Sequence, residues 1–257
     1  MNDNFNPNGV VIYRGPSMLD GSPIVIIATG FAQKSNNDKT GNMIQTWILR
    51  EDINPVEAAR TGADSTVCAD CKHRGTVVEI DGVLKNVDRS CYVTLFQAPL
   101  NVWKSYHRGI YREAKPAELK SLFSGLIVRL GSYGDPAAAP TWLWCAVTEE
   151  TADNTGYTHQ WKTAPRELAL WCMASADSVA EYWEAKALGY RVFRVATDDF
   201  IIAKTESRCP ASAEMNKKTD CATCRACSGN QIKSRDKVIK AHGSAAKVNA
   251  AQLNLAA

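Results

Sequence analysis

GLIVRLGSYG (125–134), GYTHQW (156–161), LALWCMASAD (168–177), YRVFRVAT (190–197) and FIIAKTE (200–206) are strand-like segments strung along one half of the chain. PTWLWCAVTEE (140–150) and SVAEYWEAKALG (178–189) lie between them with helical patterning, and in the second Ser178 can cap and Gly189 can terminate. Strands that alternate with helices pair in parallel, because parallel neighbours need a long crossover. The expected architecture is therefore α/β: a partial or complete parallel (β/α) barrel. Four of its strands end in polar residues, Asp135, His159, Asp177 and Asp198. The C-terminal edge of such strands is where α/β folds build active sites. Arg129 stands inside an otherwise apolar strand and needs a partner, for which Asp135 is a candidate.

Upstream, GSPIVIIATG (21–30) and MIQTWIL (43–49) read as strands separated by the polar loop SNNDKTGN (35–42). NPVEAARTG (54–62) reads as a short helix, with Asn54 as cap, Pro55 in the first turn and Gly62 at the end. Residues 98–112 (APLNVWKSYHRGIYR) have helical spacing that would align Lys104, Arg108 and Arg112 as a basic stripe beside Trp103, His107 and Tyr111. Such a stripe can track a phosphate backbone while the rings stack on bases. An amphipathic surface helix accounts for the same residues, and Gly109 argues against an unbroken one.

The 257 residues and 45% apolar content suffice for one large core with appendages. No apolar run approaches the roughly 20 residues of a membrane span, and the start, MNDNFNPNG, lacks a signal peptide's basic and apolar regions. The expected location is the cytoplasm, where structural disulfides are rare. Nine cysteines are therefore expected to serve other chemistry. Cys145 and Cys172 sit in apolar runs and are expected in the core, as are Trp142, Trp144, Trp161 and Trp171. The other seven form two groups.

Cys209, Cys221, Cys224 and Cys227 fall within nineteen positions, and the last three form C-x2-C-x2-C. Closely spaced thiolates of this kind suit an iron–sulfur cube, and zinc is the alternative, with His242 able to complete a three-cysteine site. Cys68, Cys71 and Cys91 form the other group. Three thiolates on a four-iron cluster leave one iron open, whereas His73 as a fourth ligand would close a structural zinc site. The expected units are a barrel-like domain over 1–205 with a cysteine loop at 68–91, a metal-binding extension over 206–245, and a flexible tail over 246–257. From Lys204 to Lys247 ten Lys/Arg face four Asp/Glu, a surplus of six against a net charge of +3 for the whole chain. That basic end suggests an anionic partner such as nucleic acid, or else charge offset by bound thiolates.

Taken together, CADCKHR (68–74), RSCYV (89–93), VRLGSYGDPAAAP (128–140), TGYTHQW (155–161), MASADS (173–178), CPAS (209–212) and CATCRAC (221–227) resemble a cysteine-rich family encoded by tailed bacteriophages. A more distant resemblance is to radical-SAM enzymes, which are α/β barrels with a three-cysteine cluster near the first strand and a glycine-rich acidic turn after the second. Gly134-Asp135-Pro136 is similar to that turn, which in the family contacts the amino group of S-adenosylmethionine. The C-terminal cysteines would match the auxiliary-cluster extension that many members carry. The family's C-x3-C-x2-C is absent, and C-x2-C-x19-C stands in its place.

The resemblance implies one or two four-iron clusters, S-adenosylmethionine as cosubstrate, and a base or nucleotide of viral DNA as the target, modified to evade restriction. Cys68, Cys71 and Cys91 would hold the catalytic cluster, Gly134 and Asp135 would contact the cosubstrate, and Asp177 and His159 would line the substrate pocket. One alternative is a zinc-containing, base-exchanging transglycosylase with Asp135 and Asp177 as its acidic pair. Another is a non-enzymatic zinc-ribbon protein of phage replication that binds nucleic acid through the basic stripe.

Overall fold

The computed structural model describes residues 6–33, 37–196, 204–216, 219–230, 233–241 and 244–256. Its strands are β1 (Gly9–Pro16), β2 (Pro23–Thr29), β3 (Ile44–Arg50), β4 (Thr76–Ile80), β5 (Val83–Val87), β6 (Arg112–Glu113), β7 (Ile127–Tyr133), β8 (Asp153–Thr158), β9 (Met173–Ala176), β10 (Val192–Ala196), β11 (Glu206–Arg208) and β12 (Asp236–Lys240). The helices are α1 (Pro55–Thr61), α2 (Ser65–Cys68), α3 (Ala98–His107), α4 (Leu119–Phe123), α5 (Thr141–Thr148), α6 (Val179–Ala187), α7 (Cys221–Cys224) and α8 (Ala245–Ala256).

Ten strands form one sheet in the order β11-β12-β10-β9-β8-β7-β3-β2-β1-β6, and β4 and β5 form a separate hairpin. From β3 through β7, β8, β9, β10 and β12 to β11 every pairing is parallel. Their C-terminal ends therefore share one edge. β2 pairs antiparallel with both β1 and β3. The expected α/β class and parallel sheet are present, but among the described residues no pairing joins β6 to β11, so the barrel is not closed. The antiparallel turn from β1 to β3 replaces the βα units that closure would need. Within 206–245, the span expected as a metal-binding extension, β11 and β12 continue the main sheet. Residues 246–256, expected to be a flexible tail, belong to α8, with Ala250 and Ala251 buried.

Local chemistry explains the elements. Ile24 to Ala28 form a continuous apolar run with no exposure, as a strand covered on both faces requires. Asn54 Oδ1 accepts from the Val56 and Glu57 amides, Pro55 opens α1, and Gly62 closes it at φ 82°. Ser178 caps α6 by accepting from the Glu181 amide, while Glu181 accepts from the Asp177 amide at 2.8 Å. This box leaves the Asp177 carboxylate uninvolved in capping. Trp144, Trp161 and Trp171 are core residues, and Cys172 is fully buried. Trp142 and Cys145 were expected there too, yet both are exposed, because α5 turns only one face to the sheet and buries Leu143, Trp144 and Val147.

The predicted basic stripe is divided. Helix α3 ends at His107, Gly109 takes φ 69°, and Arg112 falls in β6, where it pairs with Glu118. Trp103 and His107 stack on each other with centroids 3.8 Å apart and bond the carbonyls of Arg50 and Glu51. These rings fasten α3 to the end of β3, and Arg112 lies on a different element from Lys104.

Candidate functional site

Both cysteine groups open onto a single cavity of about 280 Å³ at the C-terminal edge of the parallel strands. Cys68, Cys71, Cys91, Cys209, Cys221, Cys224 and Cys227 all line it, together with His73, Asp135 and His159. None of the seven cysteines is in a disulfide. Asp177 stands next to His159 at the same edge, with Oδ2 3.9 Å from His159 Nε2. The seven cysteines, Asp135, His159 and Asp177 singled out from the sequence are thus neighbours in space. Asp198 and His242, and most of the 200–206 strand, lie outside the described residues.

The first cysteine loop follows β3 by way of α1, begins at the single turn of α2 and is clamped from within. Asp64 is fully buried and accepts from Arg74 at 2.7 and 3.0 Å, and Arg89 lies 3.5 Å away. Arg74 also bonds the Gly62 and Ala69 carbonyls, which pins the backbone on both sides of Cys68. Cys91 is brought back by its amide bond to the His73 carbonyl at 2.9 Å. Burial pushes the Cys68 and Cys71 thiols well up, reinforced by their mutual proximity and that of Cys91.

The second group is assembled from further afield. Cys209 follows β11, and its amide bonds Val238 of β12. Asp220 caps the single turn of α7, whose Cys221 and Ala222 amides bond the Lys39 and Thr40 carbonyls. Arg191 donates to the carbonyls of Ala226, Ser228, Gly229, Ser234 and Arg235, which folds the loop after Cys224 around one guanidinium. Burial pushes the Cys227 thiol up to about 12 and raises Cys209 and Cys221 as well. Four cations face these sulfurs: Lys39 toward Cys209 and Cys221, Arg129 toward Cys221, and Arg191 and Lys237 toward Cys227. Arg129 does not pair with Asp135 as expected. It donates to the Tyr92 hydroxyl and lies 5.9 Å from the Tyr157 ring centroid.

Asp135 caps a short turn. Its Oδ1 accepts from the Ala137 amide at 2.9 Å and the Thr158 hydroxyl at 2.7 Å, and its Oδ2 from the His159 amide at 2.7 Å. Burial raises its carboxyl pKa against these bonds. The Asp135 amide bonds the Val67 carbonyl at 2.6 Å, which joins this turn to the first cysteine loop. Gly134 is held at φ 82°, and a Cβ there would lie 2.6 Å from Ile48 Cβ and 2.7 Å from Ile48 O. Both the backbone angle and the contact demand glycine. Gly134→Ala is expected to cost about 2–3 kcal/mol in urea denaturation; a loss within 0.5 kcal/mol, roughly that of an ordinary surface change, would show that the turn relaxes freely.

His73 is the residue whose role the sequence left least defined. Its Nδ1 is 2.7 Å from Ser90 Oγ and its Nε2 is 3.1 Å from Asp177 Oδ1. Both ring nitrogens are engaged away from the cysteines. Burial works against the Asp177 carboxylate, but the bond from His73 and the nearness of His159 hold its pKa below the ordinary value. Nothing in the local sequence around Ser90, Tyr92, Lys39 or Arg191 marks them as site residues. Only the folded chain brings them in.

No protein-family model, curated protein or solved structure matches this chain. Its own residues must therefore carry the functional reading. No described helix is long and apolar enough to cross a membrane.

Proposed function

We propose that this chain is a phage-encoded, radical-SAM-like iron–sulfur enzyme that modifies a nucleobase or nucleotide of viral DNA. The observation that carries the reading is the convergence of seven cysteines, from segments more than a hundred residues apart, on one cavity at the sheet's C-terminal edge. The order of parts also supports it. β3 and β7 are parallel neighbours, the three-cysteine loop follows β3, and Gly134-Asp135-Pro136 follows β7. This is the sequence of cluster loop and turn that the resemblance implies, on a sheet that would be a partial barrel.

Iron is preferred to zinc on the tandem C-x2-C-x2-C spacing of Cys221, Cys224 and Cys227, since an iron–sulfur cube sets a separate iron behind each thiolate. The cations around the second group offset the negative charge of four thiolates. Cys68, Cys71 and Cys91 would hold a four-iron cluster, which would bind S-adenosylmethionine and supply it with an electron.

The protein's own groups have separable tasks. Asp64, Arg74 and Arg89 hold the loop shape, and the Asp135 carboxylate, which accepts three bonds, fixes the turn beside it. Tyr92, Tyr157 and Phe193 line the cavity, with the last two rings 4.6 Å apart, and offer flat faces to a base. The test is to incubate anaerobically purified, reduced protein with S-adenosylmethionine and to measure methionine release, with and without nucleotides. Release is expected from the parent chain and is expected to fall at least about 100-fold with Cys91→Ser, as for loss of a group acting in catalysis. Iron-loaded protein that neither binds nor cleaves S-adenosylmethionine would overturn the reading.

A further inference from the structure

Beside the cysteines, His159 and Asp177 stand at the C-terminal ends of adjacent parallel strands, β8 and β9, and His73 reaches them from the first cysteine loop. His73 Nε2 lies 3.1 Å from one Asp177 oxygen and His159 Nε2 lies 3.9 Å from the other. The three ligand atoms fall within 4.8 Å of one another. Asp177 and His73 are buried, and His159 Nε2 is itself buried with no hydrogen-bond partner among the described residues. An unpartnered buried imidazole nitrogen aimed at a carboxylate is costly unless something sits between them.

We propose that His73, His159 and Asp177 bind one divalent transition-metal ion, separate from anything the cysteines hold. Metal–ligand bonds of about 2.1 Å place neighbouring ligand atoms about 3.0–3.4 Å apart, so separations that are all within 4.8 Å need to close by at most about 1.8 Å. Ser90 supplies the expected outer support: with His73 Nδ1–H donating to Ser90 Oγ, Nε2 presents its lone pair to the ion. The backbone amide of Asp177 is taken by Glu181 and its helix is capped by Ser178, so the carboxylate is free for this use. Two imidazoles and one carboxylate leave coordination positions open, and His73 and His159 border the cavity. A substrate oxygen or a water there would be polarised by the ion. Nitrogen and oxygen ligands also make this site chemically distinct from the sulfur-lined remainder.

The test is an anaerobic titration of the full chain as isolated with Co²⁺, followed by absorption spectroscopy. One equivalent is expected to bind with visible d–d bands and no added thiolate charge-transfer band. His159→Ala and Asp177→Asn are each expected to weaken binding at least about 100-fold, and Ser90→Ala about 10-fold, the range for an outer-sphere partner. Ser90→Ala removes one hydroxyl and no ligand, so it reads the site even if a ligand variant misfolds. Absence of Co²⁺ binding would overturn the proposal. So would binding that brings thiolate bands and is lost with Cys91→Ser but not with Asp177→Asn. The readout requires neither iron nor S-adenosylmethionine turnover, so the failure of the enzymatic reading and of this one are distinguishable.

Discussion

Cys221→Ser combined with Cys224→Ser is expected to remove about four irons per chain, one cube's worth, and to leave the remainder on the first cysteine group. Serine nearly matches cysteine in size, and both positions are only partly buried. Without metal, the double change should therefore cost under about 1 kcal/mol. In metal-loaded protein it should cost more than about 3 kcal/mol, because a ligand set formed only by the folded chain makes binding energy part of folding energy. The contrast between loaded and metal-free protein is the decisive feature. Equal destabilisation in both, with iron unchanged, would mean that these side chains only pack.

The second large effect is structural and lies behind that site. Arg194 of β10 and Glu206 of β11 form a two-bond ion pair, each bond 3.0 Å, across the intervening β12. Their side chains are 5% and 0% exposed. Arg194→Met keeps the length of the stem and deletes the charge, leaving a carboxylate buried without its main counter-ion. A loss of about 3–5 kcal/mol is expected in urea denaturation, as for breaking other buried pairs from one side. Cys209 lies one residue beyond β11, so loosening this pair should also lower the metal content of the second cysteine group. A loss below about 1 kcal/mol would contradict both expectations.

How much of this was legible beforehand depends on the range of the interaction. The helices at 54–62 and 178–189 could be read because their caps are local: Asn54, Gly62, Ser178 and Gly189 each act within a few residues. The parallel half of the sheet could be read because alternation of strand and helix leaves little other choice. The antiparallel end could not, since the GVVIYRGP strand is fixed by its partners; the hairpin at 76–87, by contrast, carries a local signal in Asp81-Gly82, whose φ of 55° and 75° suit a two-residue turn. Lys104, Arg108 and Arg112 do not share one helix because the four-residue period runs past His107, where α3 ends. Asp135, His159 and Asp177 were found by the rule that strand ends meet at one edge. Their finer roles were not, because whether a carboxylate caps a turn, as Asp135 does, or faces two imidazoles, as Asp177 does, depends on residues up to about a hundred positions away. The cysteines were the clearest signal, and the sheet brings both groups to one cavity.

Anaerobic analysis of iron, zinc and acid-labile sulfide per chain, with an absorption spectrum of the same sample, tests that gathering most directly. Brown protein holding iron and sulfide in nearly equal amounts, at about four or eight of each per chain, is expected for one or two cubes. Colourless protein without sulfide, whose seven cavity cysteines all react as free thiols or contain only zinc, would contradict the iron–sulfur account.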